Sequence, residues 1–251
     1  MKKYLEILDQ ILTEGEYKDN RTGIGTYAVS GVKFEHDMSE GFPLLTTKNV
    51  PFRLVASELE FFIKGLTDKK WLQDRNNHIW DEWCNPQKVP YGHSEETKQR
   101  MAAERDLGPI YGWQWRNFGA EYKDNNHNYN GQGVDQLEGI INTLKDNPND
   151  RRMIVSAWNP KDLDKMALPP CHYQFQVTVI GDKLNLLWSQ RSVDSVLGLP
   201  FNIASYALML HLLAKESNFK EGKLTGFLAD THIYDNHIDG LKEQLGREPY
   251  T

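Results

Sequence analysis

Apolar residues recur at helical intervals from the start of the chain: Tyr4, Leu5, Leu8, Ile11 and Leu12 precede Gly15, which predicts an amphipathic helix stopped by glycine. The stretch 17–26 is polar and reads as a turn. Apolar and polar residues then alternate from Tyr27 to Phe34, the two-residue period of a strand. Residues 54–63 form a mostly apolar helical run ending at Gly65, in which Glu58 shares a face with Leu54, Val55 and Phe62. That carboxyl either reaches water at the helix edge or is buried and tuned for proton transfer. Residues 85–106 are strongly polar and broken by prolines before turning helix-compatible, which predicts an insertion on the surface. Val134, Leu137, Ile140, Ile141 and Leu144 predict a further helix between the breaks at Gly131-Gln132-Gly133 and Asn147-Pro148, and 153–158 reads as a strand.

The densest patterning comes later. Tyr173, Phe175, Val177 and Val179 alternate with Gln174, Gln176 and Thr178; Gly181-Asp182 interrupts, and Leu184, Leu186 and Trp188 resume the alternation, which predicts a hairpin. With Gly181 and Asp182 as central turn residues, Ile180 pairs with Lys183, and counting outward sets Cys171 opposite Ser192 and His172 opposite Arg191. A thiol, a hydroxyl and a guanidinium then meet at the open end. Ile203, Tyr206, Ala207, Leu210, Leu213 and Ala214 predict a strong helix over 203–215, and another follows over roughly 234–245. Helices and strands mixed without a βαβ rhythm predict an α+β fold rather than a doubly wound sheet.

Composition narrows the class. The 251 residues are 39% hydrophobic and 25% charged, ordinary globular usage in a chain long enough to bury a core without disulfide staples; extended disorder, collagen and coiled coil are excluded. Lys plus Arg number 29 against 35 Asp plus Glu, a net −6 that argues against a general nucleic-acid coat, so an anionic ligand must be held by a few placed cations. The N-terminus lacks the apolar stretch of a signal peptide, and no window reaches the about 18 apolar residues of a membrane span, so a cytoplasmic location is expected. Cys84 and Cys171, the only cysteines, lack metal-ligand spacing; each is either a small buried residue or a reactive thiol.

Several short motifs carry candidate chemistry. Gly23-Ile-Gly25-Thr-Tyr-Ala28 has the form G-x-G-x-x-A, but a helix precedes it and a strand follows, the reverse of the dinucleotide-binding order. Arg21 beside that turn is either a solvated arginine or a phosphate ligand. Arg151 and Arg152 lead into a strand, where neighbours point to opposite faces; they serve one phosphate only from irregular backbone or in different jobs, and otherwise form a solvated charge cluster. Cys171 directly follows Pro169-Pro170, whose fixed φ presents it predictably, and a nearby Arg191 favours its thiolate. Arg191, Ser192 and Asp194 offer anion donors and one carboxylate, while Asn202 either caps the following helix or reads a heterocycle edge bearing both an acceptor and a donor. His232 and His237 are five apart rather than at the i, i+4 spacing of a zinc helix, so no metal is expected. His232 and Tyr234 share one face of an extended segment, which suits a sugar hydroxyl or a packed core edge.

Taken in order, Arg21-Thr-Gly-Ile-Gly-Thr, Gly41-Phe-Pro-Leu-Leu-Thr-Thr-Lys, Ile79-Trp-Asp-Glu-Trp, Leu107-Gly-Pro-Ile-Tyr-Gly-Trp-Gln-Trp-Arg, Asp150-Arg-Arg, Leu168-Pro-Pro-Cys-His, Gln190-Arg-Ser-Val-Asp, Leu197-Gly-Leu-Pro-Phe-Asn-Ile-Ala-Ser-Tyr and Asp230-Thr-His-Ile-Tyr-Asp-Asn-His resemble segments of the thymidylate synthase family, across essentially the whole chain. The resemblance implies a single α+β domain over residues 1–251, built on a mixed, mostly antiparallel β-sheet flanked by helices, with 85–106 as the insertion. It implies reductive methylation of deoxyuridine monophosphate (dUMP) to dTMP, with 5,10-methylenetetrahydrofolate as cosubstrate and no metal. On this likeness Cys171 adds to C6 of uracil as a thiolate. Glu58 is the general acid–base carboxylate acting through ordered water, and Tyr111 and His172 support proton removal at C5 and polarity near O4. Arg21, Arg191 and Ser192 bind the phosphate, joined by Arg151 and Arg152 from the second subunit of a homodimer. Asn202 reads O4 and N3 of uracil, and His232 and Tyr234 hold the ribose hydroxyl. Asp194 holds the folate pterin, with Ile79, Trp80, Leu197, Gly198 and Phe201 packed around it. Neither membrane nor nucleic acid is required.

Ala229-Asp230 stands where the family has Gly-Asp, and Asn49-Val50-Pro51 replaces a more basic stretch directed at the folate glutamyl tail. The family continues past Arg247-Glu-Pro into further sheet and a C-terminal residue that closes over folate, so such a segment is expected beyond Thr251. Two other readings stay open: a nucleotide hydroxymethylase, in which water rather than hydride meets the methylene intermediate, and a noncatalytic dimer that binds nucleotide or regulatory RNA.

Overall fold

The computed structural model describes residues 2–20 and 23–250. In chain order the elements are α1 (Lys2–Glu14), β1 (Glu16–Lys18), β2 (Thr26–Asp37), α2 (Phe52–Ile63), α3 (Lys70–Gln73), α4 (Glu95–Ala103), α5 (Tyr111–Asn117), α6 (Gln136–Asp146), β3 (Ile154–Ser156), β4 (His172–Ile180), β5 (Lys183–Asp194), α7 (Gly198–Ser217), β6 (Lys220–Tyr234) and α8 (Ile238–Leu245). They make one six-stranded sheet in the order β1-β2-β6-β5-β4-β3. Every pairing is antiparallel except β5–β6, which run parallel because α7 crosses between them. The fold is α+β on a mixed, mostly antiparallel sheet, and its single βαβ unit is the feature that the hydrophobic rhythm did not announce.

Alternation builds the core. Phe175 and Val177 of β4, Leu184, Leu186 and Trp188 of β5 and Leu224 and Leu228 of β6 are buried against Tyr4, Ile7, Leu8 and Ile11 of α1 and the ten buried residues of α7. Trp188 stacks on Tyr206 of α7 at 5.3 Å and 11°, which ties the crossover helix to the sheet centre. On the opposite face the row Ser156, Gln174, Ser189 and Phe227, each paired to the next, continues the sheet without apolar closure, and Phe227 keeps 48% of its surface exposed.

Four details differ from the sequence reading. The hairpin turn is at Gly181, whose φ of 65° suits glycine, and Ile180 pairs with Lys183 as expected. A β-bulge at Tyr173 then shifts the register by one, so His172 lies opposite Gln190 rather than Arg191, and Cys171 O accepts from Arg191 N at 2.8 Å rather than facing Ser192. Second, α7 begins at Gly198, because Pro200 sits in its first turn, where no N–H is missed; Asn202 is therefore inside the helix and does not cap it. Third, Val134 is not on the α6 face: it pairs with Phe118 in an isolated bridge, 61% exposed, and Asp135 caps the helix by accepting from Glu138 N at 3.0 Å. Fourth, β1 interrupts the polar stretch 17–26, and β6 runs on through Tyr234, so the last helix starts at Ile238.

Residues 85–106 contain α4, capped by Ser94 Oγ accepting from Thr97 N at 3.1 Å. Cys84, Val89 and Met101 form a small apolar cluster of their own. Fully buried Asp106 accepts from Gly108 N at 2.7 Å and pairs with Lys88 at 2.8 Å, so charged groups fasten this segment from inside.

At Gly112 of α5 the helix lies close against α2: a Cβ there would stand 2.0 Å from Phe62 O. Gly112→Ala must therefore push the two backbones apart, and an overpacking cost of about 1–3 kcal/mol is expected, read as a lower urea midpoint at unchanged slope.

Candidate active site

Cys171 is the last residue before β4, and three groups fix it. Its N–H donates to Tyr111 Oη at 2.9 Å, and its carbonyl accepts from Arg191 N. The Arg191 side chain donates from Nε to Pro170 O at 2.9 Å and from Nη2 to Pro169 O at 2.8 Å, clamping the two prolines that precede the cysteine. The guanidinium carbon also lies 5.5 Å from the centre of the Trp158 ring. Cys171 is half-buried at the wall of a cleft of about 650 Å³, whereas Cys84 is buried, with its thiol pushed up by burial.

Ser192, His232 and Tyr234 line the same cleft with Arg191 and Cys171. Parallel pairing of β5 with β6 brings them together: Ser192 lies opposite Asp230 and Asp194 opposite His232. His232 and Tyr234 meet edge to face at 5.4 Å, as two residues on one side of a strand should. Asp230 accepts from Lys18 Nζ and lies 2.9 Å from His232 Nδ1. Burial alone would raise its carboxyl, but these partners hold it below the usual range.

Behind the cleft lies a drier shell. Glu58 Oε1 accepts from Trp80 Nε1 at 2.8 Å, yet burial dominates and pushes the carboxyl up to about 7. Tyr111 meets Trp80 edge to face at 6.0 Å and lies 4.4 Å from His172, centre to centre. His172 Nδ1 is 2.8 Å from Tyr206 Oη, and burial depresses the imidazole to about 3, so it is neutral throughout the physiological range. Burial likewise drives the Tyr111 phenol well above its ordinary range. The shell thus joins a carboxyl that titrates near neutrality to a neutral imidazole, and Tyr111 connects both to the thiol-bearing residue.

The thymidylate synthase family matches residues 2–251. The chain belongs to the thymidylate synthase family. It is 48% identical over 248 residues to the bifunctional dihydrofolate reductase-thymidylate synthase of Paramecium tetraurelia, covering 99% of this chain and 53% of that protein. Against the bifunctional dihydrofolate reductase-thymidylate synthase of Leishmania major the identity is 46% over 252 residues, 99% of this chain and 48% of the relative. Against the thymidylate synthase of varicella-zoster virus it is 48% over 250 residues, 98% of this chain and 80% of the relative. The chain spans about half the length of the two bifunctional relatives.

Within this thymidylate synthase-family chain the remaining candidates divide. Asn202 does not line the cleft, but Gln190 Nε2 donates both to Asn202 Oδ1 at 3.0 Å and to Ser192 O at 3.1 Å, linking the amide to the cleft wall. Asp194 Oδ1 accepts from Val196 N and Leu197 N, each at 3.0 Å, shaping the turn into α7. Trp80 is buried, Gly198 and Phe201 are half-buried, and Ile79 and Leu197 are exposed; none of the five borders the Cys171 cleft. Arg151 and Arg152 are not brought to it either: both are exposed, and Arg152 grips Asp150 at 2.6 and 3.0 Å. Arg21 lies outside the described residues. Sequence reasoning missed Lys18 and Trp158, which line the cleft from an edge strand and a loop where no motif marks them.

Glu58 holds a proton in the native state between its ordinary 4.5 and about 7, which the unfolded chain releases. Its ionisation therefore costs stability as pH rises through that window. Glu58→Gln, which can still accept from Trp80, is expected to raise stability above about pH 8 by on the order of 3 kcal/mol and to change little near pH 4, measured by urea unfolding at both values.

Proposed function

We propose that the chain catalyses reductive methylation of dUMP to dTMP, with 5,10-methylenetetrahydrofolate supplying the carbon and the hydride and leaving as dihydrofolate. The observation that carries this reading is the pairing of Cys171, fixed between Tyr111 Oη and Arg191 at a cleft wall, with a carboxyl raised to about 7 behind it.

Cys171 adds as a thiolate to C6 of uracil, and the electron pair moves to C5, which attacks the methylene carbon. The C5 proton is then lost, the tetrahydrofolate nitrogen is expelled, and hydride transfer to the exocyclic methylene releases the thiolate. Glu58 moves protons through water; near neutrality both of its protonation states are populated, as a group that gives and takes a proton in one cycle requires. Tyr111 and neutral His172 supply a polar, uncharged environment for the C5 proton and O4. Arg191 and Ser192, with Arg21, take the phosphate, and His232 and Tyr234 the ribose hydroxyl. The bond from Gln190 fixes the Asn202 amide so that Nδ2 can donate to O4 while Oδ1 has a second lone pair for N3–H, a pattern that cytosine reverses. Asp194 meets the pterin, with Ile79, Trp80, Leu197, Gly198 and Phe201 around it.

The working unit in this reading is a homodimer, with Arg151 and Arg152 serving the phosphate of the other subunit. Their exposure on their own chain and the open sheet face bearing Phe227 support it. Among the described residues no helix is long and apolar enough to cross a membrane, and the reaction proposed needs none.

Purified chain is expected to convert dUMP and methylenetetrahydrofolate to dTMP with the rise in dihydrofolate absorbance, and Cys171→Ser to lower turnover by at least a thousandfold. Unchanged turnover in that variant would sink the nucleophile assignment, and a product one oxygen heavier than dTMP would identify a hydroxymethylase. Mixing inactive Cys171→Ser with inactive Arg152→Glu is expected to restore activity through mixed dimers; no recovery after subunit exchange contradicts the shared site.

A further inference from the structure

Lys69 is the residue immediately before α3, and only 1% of its surface is exposed. Its ammonium donates to three backbone carbonyls: Asp81 O at 2.8 Å, Trp83 O at 2.9 Å and Met101 O at 2.8 Å. A lysine has three N–H donors, so the set is complete. Its backbone N–H adds a bond to Arg105 O at 3.0 Å. One residue thus holds the turn that contains Trp80, the last turn of α4 and the end of the 85–106 segment.

That turn is clamped from the other side as well. Asn77, buried, donates from Nδ2 to Leu54 O at 3.1 Å and Ser57 Oγ at 2.9 Å, both on α2, and accepts from Ile79 N at 3.2 Å. Gln73 Nε2 donates to Asp81 Oδ1 at 2.9 Å. Between the Asn77 and Lys69 clamps lies Trp80, whose indole N–H is the hydrogen-bond donor to Glu58.

We propose that Lys69 is a positioning residue for the active-site carboxyl: its three carbonyl bonds brace the 79–83 turn so that the Trp80 indole stays aimed at Glu58. The 85–106 segment is thereby part of the support of the site, since Met101 supplies one of the three carbonyls. Removing the ammonium strands three buried acceptors and frees the turn on one side while the Asn77 clamp persists. The groups facing Lys69 are Cys84, Asp81 and Glu104; those around Glu58 are Trp80 and Tyr111, with Cys171 and His172 beyond. The consequence for catalysis rests on the role proposed for Glu58, whereas the positioning itself does not.

The test follows the Trp80 indole N–H by ¹⁵N NMR, assigned with Trp80→Phe, across the titration of Glu58. In the wild type the resonance moves with that titration, and in Glu58→Gln it does not. In Lys69→Met the bond that stabilises the carboxylate is weakened, so the acid dissociation constant of Glu58 falls several-fold and the resonance shifts toward that of an unbonded indole. Lys69→Arg keeps the charge, but its planar fork cannot meet three converging carbonyls, so it moves both readouts in the same direction. Wild-type resonance and midpoint in Lys69→Met overturn the proposal, and so do wild-type values in Lys69→Arg if Lys69→Met does not fold. Turnover distinguishes the two readings: a shifted Trp80 resonance in a chain without synthase activity leaves the brace standing and removes the proposed reaction.

Discussion

The bulge at Tyr173 is the constraint on which the cleft depends. Without it the β4–β5 ladder would continue in one register to the open end, setting His172 opposite Arg191. The extra residue slips the ladder by one, and its carbonyl is not orphaned, because Ala157 N donates to it at 2.8 Å. The slip puts the Arg191 N–H on the Cys171 carbonyl and lets the guanidinium turn back onto Pro169 and Pro170. His172 is then free to point to Tyr206 and Tyr111 in the drier shell. Thiol and imidazole are adjacent in sequence, yet they serve different environments because the chain is irregular where they sit.

Those environments bear on how an acidic chain could hold the anionic substrate proposed for it. The net charge of −6 is distributed over carboxylates, many paired with lysines, whereas at the cleft Lys18 is matched by Asp230 and the Arg191 guanidinium is held by backbone carbonyls rather than by a carboxylate. Behind it, burial works on groups of both signs with the same outcome. It raises Glu58 and Tyr111 and lowers His172, in each case toward the neutral form. These three groups are thereby biased toward their neutral forms, so in the proposed reaction a thiolate or enolate formed beside them meets less fixed negative charge than an ordinary carboxylate and phenol would place there.

Most of the scaffold was legible from period alone. The alternation in β4 and β5, the turn at Gly181 and the apolar stripe of α1 each follow from where burial places side chains, so their residue types report it. The bulge was not legible, because an extra strand residue needs no special side chain and Tyr173 looks like any other member of the ladder. β1 escaped for the opposite reason: Glu16, Tyr17 and Lys18 are all exposed at a sheet edge, and an edge strand with no buried face has no pattern to show. α7 was started five residues too late because Leu-Pro looks like a break, although proline in a first turn is at home there. Glu58 was singled out by its apolar neighbours, but its partner Trp80 lies 22 residues on, beyond any local rule. Lys69 gave no signal at all, since a lysine beside Asp68 and Lys70 reads as solvated.

The strand order also sets a schedule for synthesis. β6 lies between β2 and β5, so the N-terminal pair β1–β2 has no neighbour in the sheet until residues 220–234 have been made. At roughly 5–20 residues per second, that leaves the apolar faces of α1 and β2 waiting for about ten seconds or more after they emerge. The β3–β4–β5 part, by contrast, is local and can form as it is made. The nascent chain is thus expected to carry a half-finished sheet with an unpaired edge on each part, the state in which a ribosome-bound chaperone has the most to cover.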